Sequence, residues 1–265
     1  MKYSDKEKKE IFSKIEENGY VCLKNFYTKA QLDGVKKSLF DMLNYIKHDD
    51  KITDLHEKYY QIKKFNPILK GHFYDLCPHE IEFRQLVHHP AIIDIVKGFF
   101  RTNVVFSGAP NIHMRDSENE RIFSGHQETH MFSKDNIFVW APLFDAKDDQ
   151  GGLIIYEGSH KHGYWKHNTN NKLKSTSIDS NQLKQFKEKK LEVNAGDALL
   201  IHSRLVHASA KTFKKNFVRF VITDRICPLK QIPYLEKEKV PIKIPYPGHG
   251  EGGDTVDYNT KDIYL

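Results

Sequence analysis

Residues 125–128 read Gly-His-Gln-Glu, and residues 202–209 read His-Ser-Arg-Leu-Val-His-Ala-Ser. His126 and Glu128 are two positions apart, so on a β-strand their side chains point to the same face of a sheet. His207 lies far downstream and can join this pair only if the strand that carries it packs beside the first. The two stretches therefore predict a fold in which distant strands meet at one site.

The sequence from about residue 103 onward has the residue pattern of a β protein. Short runs rich in β-branched and aromatic residues recur there, and turn-like sequences at 148–152 and 194–197 separate some of them. The runs lie at 104–106, 111–114, 137–140, 153–156, 198–201 and 217–221.

The first hundred residues have helical periodicity instead. Ser4 and Glu7 are spaced as a capping box, and Ile11 and Ile15 follow in helical register. Helices are predicted over 4–18, 29–48 and 81–100, with a polar, Lys-rich segment to about residue 66 and an interruption near residue 90.

Helices first and many short strands later predict a mainly β protein with flanking α-helices, built as an antiparallel sandwich or barrel. We expect one domain over 1–265. Its parts would be a mostly helical 1–102, a β core over 103–227 with a polar insertion near 161–190, and a C-terminal tail over the surface at 228–265.

Composition limits the classes of partner. The net charge of +6 comes from 41 basic and 35 acidic residues and is diffuse, without a recognisable nucleic-acid module. We therefore expect no nucleic-acid partner and a small-molecule substrate, with an anionic one as the second explanation for the charge.

Three widely spaced cysteines, Cys22, Cys77 and Cys227, form no CxxC pair, which favours a reducing compartment. The N-terminus is charged, and no apolar run approaches the length of a membrane span. We expect a cytoplasmic protein without a membrane partner.

Two histidines and one carboxylate can occupy one face of an octahedral Fe(II) ion and leave three positions open. His126, Glu128 and His207 supply such a set. Because the chain has 15 histidines, combinations of this kind also arise by chance, and His113 and His130 remain alternative ligands.

Several further motifs follow the pair in a fixed order. They read Gly-Gly-Leu at 151–153, Gly-Ser-His at 158–160, Gly-Asp at 196–197, His-Ala-Ser at 207–209 and Arg at 219. This succession resembles the phytanoyl-CoA dioxygenase family of Fe(II)/2-oxoglutarate-dependent oxygenases, over roughly residues 111–225. The resemblance implies a double-stranded β-helix, the cupin-like jelly roll, in which the metal pair and the distal histidine converge at the mouth of the barrel.

Carried over to this chain, the resemblance implies that His126, Glu128 and His207 are the catalytic iron ligands. It also implies that Arg219 binds the distal carboxylate of 2-oxoglutarate, with Ser209 near the same group. A planar guanidinium can hold a carboxylate through two parallel hydrogen bonds, which suits that role.

Three further residues are candidates for the cofactor pocket: Gln127 and Trp140 match positions that line it in the family, and His113 precedes the metal pair on a strand. Arg225 competes with Arg219 for 2-oxoglutarate. An arginine on an otherwise apolar strand face needs a buried anion, which favours Arg219.

One departure from the family pattern concerns Glu128, because the family usually has aspartate there. We interpret the glutamate as a variant ligand. The predicted function is an Fe(II)- and 2-oxoglutarate-dependent dioxygenase that uses O2, hydroxylates a small metabolite and releases succinate and CO2. The alternatives are a cupin-like metal-dependent isomerase or epimerase and a non-catalytic jelly-roll binding protein.

Overall fold

A computed structural model describes residues 2–108, 110–118, 124–128, 133, 135–170 and 175–229. Within these residues the helices are α1 (Asp5–Asn18), α2 (Lys29–Ile46), α3 (Leu55–Phe65), α4 (Pro67–Leu76), α5 (Ile81–Val87), α6 (Pro90–Phe100) and the short α7 (Ser180–Leu183). The strands are β1 (Tyr20–Leu23), β2 (Val105–Ser107), β3 (Asn111–Asp116), β4 (Ile137–Pro142), β5 (Leu153–Tyr156), β6 (Asn168–Asn170), β7 (Ser175–Ser177), β8 (Glu188–Leu191), β9 (Ala198–His202), β10 (His207–Ser209) and β11 (Val218–Pro228).

Local sequence signals set the ends of the predicted helices. Ser4 and Glu7 form the predicted capping box of α1, and Gly19 ends that helix in the left-handed conformation at φ +81°. The predicted helix over 81–100 is two helices. Pro90 begins the second of them, at the first helical position where its missing N–H costs nothing.

The polar segment before residue 66 contains helix α3, which the sequence reading missed. Asp54 caps its first turn, and Tyr59 and Ile62 are buried on its inner face. Lys58, Lys63 and Lys64 dilute the apolar stripe, so the helical period is weak in the sequence. Tertiary packing against the rest of the chain supplies what the pattern lacks.

Two antiparallel sheets form the β part of the molecule. The larger has the strand order β1-β9-β4-β11-β2, and β3 also pairs with the long strand β11. The smaller has the order β10-β5-β8, and β6 and β7 form a separate hairpin. The last residues of the predicted insertion near 161–190 belong to β8, which completes the smaller sheet by pairing with β5.

The two faces of the larger sheet bury different partners. On β4, Ile137 and Val139 pack with the helices in the main hydrophobic core. Phe138 and Trp140 alternate with them and pack instead against residues of the smaller sheet, such as Ile155. The sheets thus face each other with helices outside, which confirms the predicted fold class.

The metal-pair stretch reaches β10 through a β-bridge between His126 and His207. The meeting of two distant stretches, predicted from the sequence, is therefore observed. The described helices include none that is long and apolar enough to cross a membrane. Cys22, Cys77 and Cys227 are free thiols, and the tail from residue 230 lies outside the described residues.

Candidate metal centre

Backbone pairing between the two stretches positions the candidate ligands. The N–H of His126 donates to the carbonyl of His207 at 3.0 Å, and the N–H of His207 donates back to His126 at 3.0 Å. One step further, the N–H of Glu128 donates to the carbonyl of Ser203 at 2.9 Å. These bonds hold the three ligand side chains together between the sheets.

The three donor groups converge on a common point. Glu128 Oε1 lies 3.5 Å from His126 Nε2 and 3.4 Å from His207 Nε2, and all the candidate ligand atoms lie within 4.8 Å of one another. The His126 side chain is 16% exposed, whereas those of Glu128 and His207 are 3% exposed. The cluster is thus buried, with its opening on the side of His126.

Backbone carbonyls orient both imidazole rings. His126 Nδ1 lies 2.8 Å from the carbonyl of Ser124, and His207 Nδ1 lies 3.0 Å from the carbonyl of Leu205. A carbonyl only accepts hydrogen bonds, so each Nδ1 carries the proton and each Nε2 keeps its lone pair. Metal-binding histidines in proteins are commonly held in this manner.

The environment of each ligand favours the form that binds metal. Burial, and then the nearby His126, lower the pKa of His207, which keeps this ring neutral. Burial opposes ionisation of Glu128, but the charge of the Arg225 guanidinium outweighs it and holds the pKa of this carboxyl well below its usual range.

The donor set fits a divalent iron ion. Metal–ligand bonds of about 2.1 Å at right angles would place neighbouring donor atoms about 3 Å apart. The observed separations of 3.4 and 3.5 Å around Glu128 Oε1 need only a small contraction. Two imidazoles and one carboxylate on one side of the ion are also the ligands of the iron facial triad.

A second feature of the same interior is the buried Arg219. Its Nη1 donates to the carbonyls of Gly151 at 2.5 Å and Gly152 at 3.1 Å, and its Nη2 lies 3.5 Å from Ser209 Oγ. Its Nε has no hydrogen-bond partner among the described residues. Trp140 covers the guanidinium, with 5.8 Å from its carbon to the ring centroid.

Arg219 has no carboxylate to balance its charge in the described part of the chain. Burial, and then the neighbouring Arg115 on β3, lower its pKa to about 9. A buried cation without a counter-charge is costly unless a ligand supplies the anion. The geometry therefore fits the predicted carboxylate site, in which Arg219 on β11 faces Ser209, two positions beyond His207 on β10 of the other sheet.

Gln127 lies between the two ligands but faces the other way. Its Nε2 donates to the carbonyls of Gly163 at 2.9 Å and Arg204 at 2.6 Å, and its Oε1 accepts from the N–H of Trp165 at 2.9 Å. The structure thus places Gln127 against backbone groups on the face opposite the triad, where it fixes the strand and does not reach the cofactor pocket.

The remaining candidates have different outcomes in the structure. His113 lies on the inner face of β3, where burial and then Arg225 hold its pKa well below the usual range; it is outside the group of clustered donors among the described residues. His130 lies outside the described residues. Arg225 pairs with Glu128, at 2.9 Å from its Nε to Oε2 and 3.1 Å from its Nη2 to Oε1.

The sequence reading missed that pairing. The available signal was the even spacing of 219, 221, 223 and 225, which places all four side chains on one face of β11. The spacing that places Arg219 on this face therefore places Arg225 there as well.

Together, a buried His-Glu-His cluster and an uncompensated arginine between two facing antiparallel sheets define a candidate iron centre of the non-haem type, with an anion site beside it. The family model for phytanoyl-CoA dioxygenase (PhyH) matches residues 15–213, well over half of the chain. The chain belongs to this family. Arg219 and Arg225 lie beyond the matched range, so their placement rests on the structure.

Solved structures of similar fold agree with this assignment. The epimerase SnoN, in complex with Fe3+, alpha-ketoglutarate and nogalamycin RO, has a TM-score of 0.62 at 12% identity, over 84% of this chain and 84% of its own. The carbocyclase SnoK from nogalamycin biosynthesis has a TM-score of 0.58 at 16% identity, over 82% and 83%.

EctD from S. alaskensis, with 2-oxoglutarate and 5-hydroxyectoine, has a TM-score of 0.55 at 12% identity, over 86% of this chain and 77% of its own. At these identities the similarity establishes the fold, a jelly roll. No curated protein sequence matches the chain significantly.

Proposed function

We propose that this protein is an Fe(II)- and 2-oxoglutarate-dependent dioxygenase that hydroxylates a small molecule. The observation that carries the proposal is the buried Arg219, whose charge no described acidic side chain balances. A cupin-like isomerase with a different metal has no use for such a residue beside the metal ligands. The intact set of metal ligands argues against a non-catalytic binding protein.

His126, Glu128 and His207 would hold the iron, and Arg219 with Ser209 would hold the distal carboxylate of 2-oxoglutarate. When bound, iron and 2-oxoglutarate supply the oxygen activation that converts the cosubstrate to succinate and CO2 and oxidises the substrate. The chemistry belongs to the cofactor and cosubstrate, and the protein binds, orients and excludes water.

Particular residues of the site orient the metal ligands and exclude water. The carbonyls of Ser124 and Leu205 keep the two rings in the tautomer that presents Nε2 to the metal. Phe138 stacks on His207 with 5.4 Å between ring centroids, and with Trp140 it forms an apolar wall on the inner sheet face. Such a wall keeps bulk water from the reacting groups.

The similar structures support the use of iron and 2-oxoglutarate. They do not single out one type of reaction on the substrate. SnoN and EctD were crystallised with iron or 2-oxoglutarate, yet SnoN is described as an epimerase and SnoK as a carbocyclase. We propose hydroxylation because it needs no second reacting group on the substrate. The diffuse net charge of +6 favours an anionic small molecule as the substrate.

An aerobic assay with Fe(II), ascorbate and 2-oxoglutarate tests the proposal without knowledge of the substrate. We expect slow formation of succinate and CO2 by the wild type and none above background for His207→Ala. Mass spectrometry of candidate substrates would then distinguish an added oxygen atom from epimerisation or ring closure. Equal succinate from both proteins would overturn the proposed function.

A further inference from the structure

The two oxygens of Glu128 have different surroundings. Oε1 faces His126 Nε2 at 3.5 Å and His207 Nε2 at 3.4 Å. Oε2 lies 2.9 Å from Arg225 Nε on the side away from the histidines. Oε1 is thus the oxygen that faces both ligand nitrogens, whereas Oε2 is held by the guanidinium.

Arg225 is itself held firmly. It is 5% exposed on β11, its guanidinium carbon lies 4.6 Å from the centroid of the Phe138 ring, and its Nη1 lies 3.4 Å from Thr223 Oγ1. Its second bond to the carboxylate, from Nη2 to Oε1 at 3.1 Å, completes a side-on fork. A planar fork fixes the orientation of a carboxylate, which a point charge does not.

We infer that Arg225 is a positioning residue that retains Glu128 Oε2 and so restricts this glutamate to one metal-binding oxygen. The inference rests on the proposed function. A carboxylate can bind a metal through one oxygen or through both, and the extra methylene of glutamate gives it the freedom to turn and chelate. Chelation would occupy one of the three open positions that 2-oxoglutarate and O2 require.

The inference accounts for the departure from the family pattern at Glu128. An aspartate in this place would be shorter and less free to rotate its carboxylate onto the metal. A glutamate needs an outside restraint, and Arg225 lies where that restraint has to act. The residue acts through Glu128, with which it pairs.

The test uses Mn(II) as the probe in the full-length protein. Line broadening of the Mn(II) electron paramagnetic resonance spectrum in oxygen-17 water counts the water molecules bound to the ion. With three protein donor atoms we expect three waters on the wild type. In Arg225→Met we expect Glu128 to chelate the ion, which leaves two bound water molecules.

Binding of 2-oxoglutarate gives a second measurement on the same samples. Calorimetry on the Mn(II)-loaded proteins should show the affinity for 2-oxoglutarate falling by about tenfold or more in Arg225→Met, because a chelating Glu128 occupies a position that 2-oxoglutarate needs; removing residues that orient metal ligands lowers metal affinity or activity by about the same factor. A merely structural arginine would lower the unfolding temperature without changing the water count.

The matched control is Arg204→Met. Arg204 also pairs with a carboxylate, Asp135, at 3.1 Å between Nε and Oδ1, but it does not pair with Glu128. This variant should keep three waters and wild-type affinity for 2-oxoglutarate. If Arg225→Met does not fold, Arg225→Lys carries the test with the same two outcomes, because it keeps the buried positive charge without the fork.

The outcomes separate the two proposals. Three waters and unchanged 2-oxoglutarate affinity in a folded Arg225 variant would overturn the positioning role and leave the proposed function intact. A wild type that binds no Mn(II), Fe(II) or 2-oxoglutarate would overturn both. Two waters on the wild type itself would overturn the positioning role alone.

Discussion

At the scale of single residues, the proposed cosubstrate site depends on the buried Arg219. Its guanidinium is held by the carbonyls of Gly151 and Gly152, but these are neutral and leave its charge uncompensated. The sequence predicted this need for an anion from an arginine among apolar residues on one strand. The structure places the predicted Ser209 at 3.5 Å from this guanidinium, and it pairs the competing Arg225 with Glu128 instead.

Arg219→Met should lower the affinity for 2-oxoglutarate about a hundredfold, because a charge-assisted pair in a buried site is lost. Ser209→Ala should lower it by less than about tenfold, since a neutral hydrogen bond contributes only about 1 kcal/mol. The thermal shift on adding 2-oxoglutarate to each metal-loaded variant measures both effects. Equal losses in the two variants would contradict the role assigned to Arg219.

At the scale of elements, the stretch that carries the ligands depends on a residue that faces away from them. Gln127 makes hydrogen bonds to backbone groups of Gly163, Arg204 and Trp165. From the sequence it is a candidate for the pocket, because it matches a position that lines the pocket in the family. The alternation of a strand already places it on the opposite face, and only the structure shows what that face contacts.

Gln127→Ala should lower the free energy of unfolding by about 3 kcal/mol, because it leaves buried backbone groups without their partners. Urea denaturation of the metal-free protein measures this change. The matched control is Gln185→Ala, which removes an exposed amide bound to the carbonyl of Gln182 and should cost less than about 0.5 kcal/mol. Similar costs for the two variants would show that Gln127 does not hold the stretch.

Element boundaries show where sequence reasoning stops. Capping boxes and prolines predicted α1 and the break before α6, because these signals act within one turn. The helical pattern of α3 is weaker in the sequence, since Lys58 interrupts its buried face. Strand β8 likewise reads as polar and exposed, and its place in the smaller sheet depends on pairing with β5, which no local pattern encodes.

At the scale of the whole molecule, the helices and the larger sheet share one hydrophobic core that runs from Ile15 and Leu39 to Val139 and Phe220. The sequence predicted this layering from the order of helices and strands. It could not predict which strands are neighbours, because β11 pairs with strands far from it in the chain on both of its edges. We propose that the described parts unfold together as a single domain.

Buried histidines should make this fold sensitive to acid. Burial, and then Arg204, lower the pKa of His202 to about 4 in the folded protein, whereas an unfolded histidine titrates near about 6.5. Between these pH values the unfolded chain binds a proton that the folded protein does not. Stability is therefore full above about pH 6.5 and falls by about 1.4 kcal/mol per pH unit as the pH drops toward 4.

His202→Asn should flatten this dependence, since it keeps an acceptor for the N–H of Arg204 but cannot be protonated. Urea denaturation of the metal-free wild type and variant at pH 7, 6 and 5 measures how the free energy of unfolding of each depends on pH, since about 1.5 pH units of this range lie within the window. A variant as acid-sensitive as the wild type would rule out His202 as a source of the effect.

The central claim is that His126, Glu128 and His207 bind Fe(II) together with 2-oxoglutarate. The direct measurement is the visible absorption spectrum of the anaerobic protein with Fe(II), before and after 2-oxoglutarate is added. Chelation of the iron by 2-oxoglutarate gives a metal-to-ligand charge-transfer band. We predict this band for the wild type, its loss in His207→Ala, and its appearance only at higher 2-oxoglutarate concentration in Arg219→Met. A folded wild type that shows no band at saturating 2-oxoglutarate would contradict the claim.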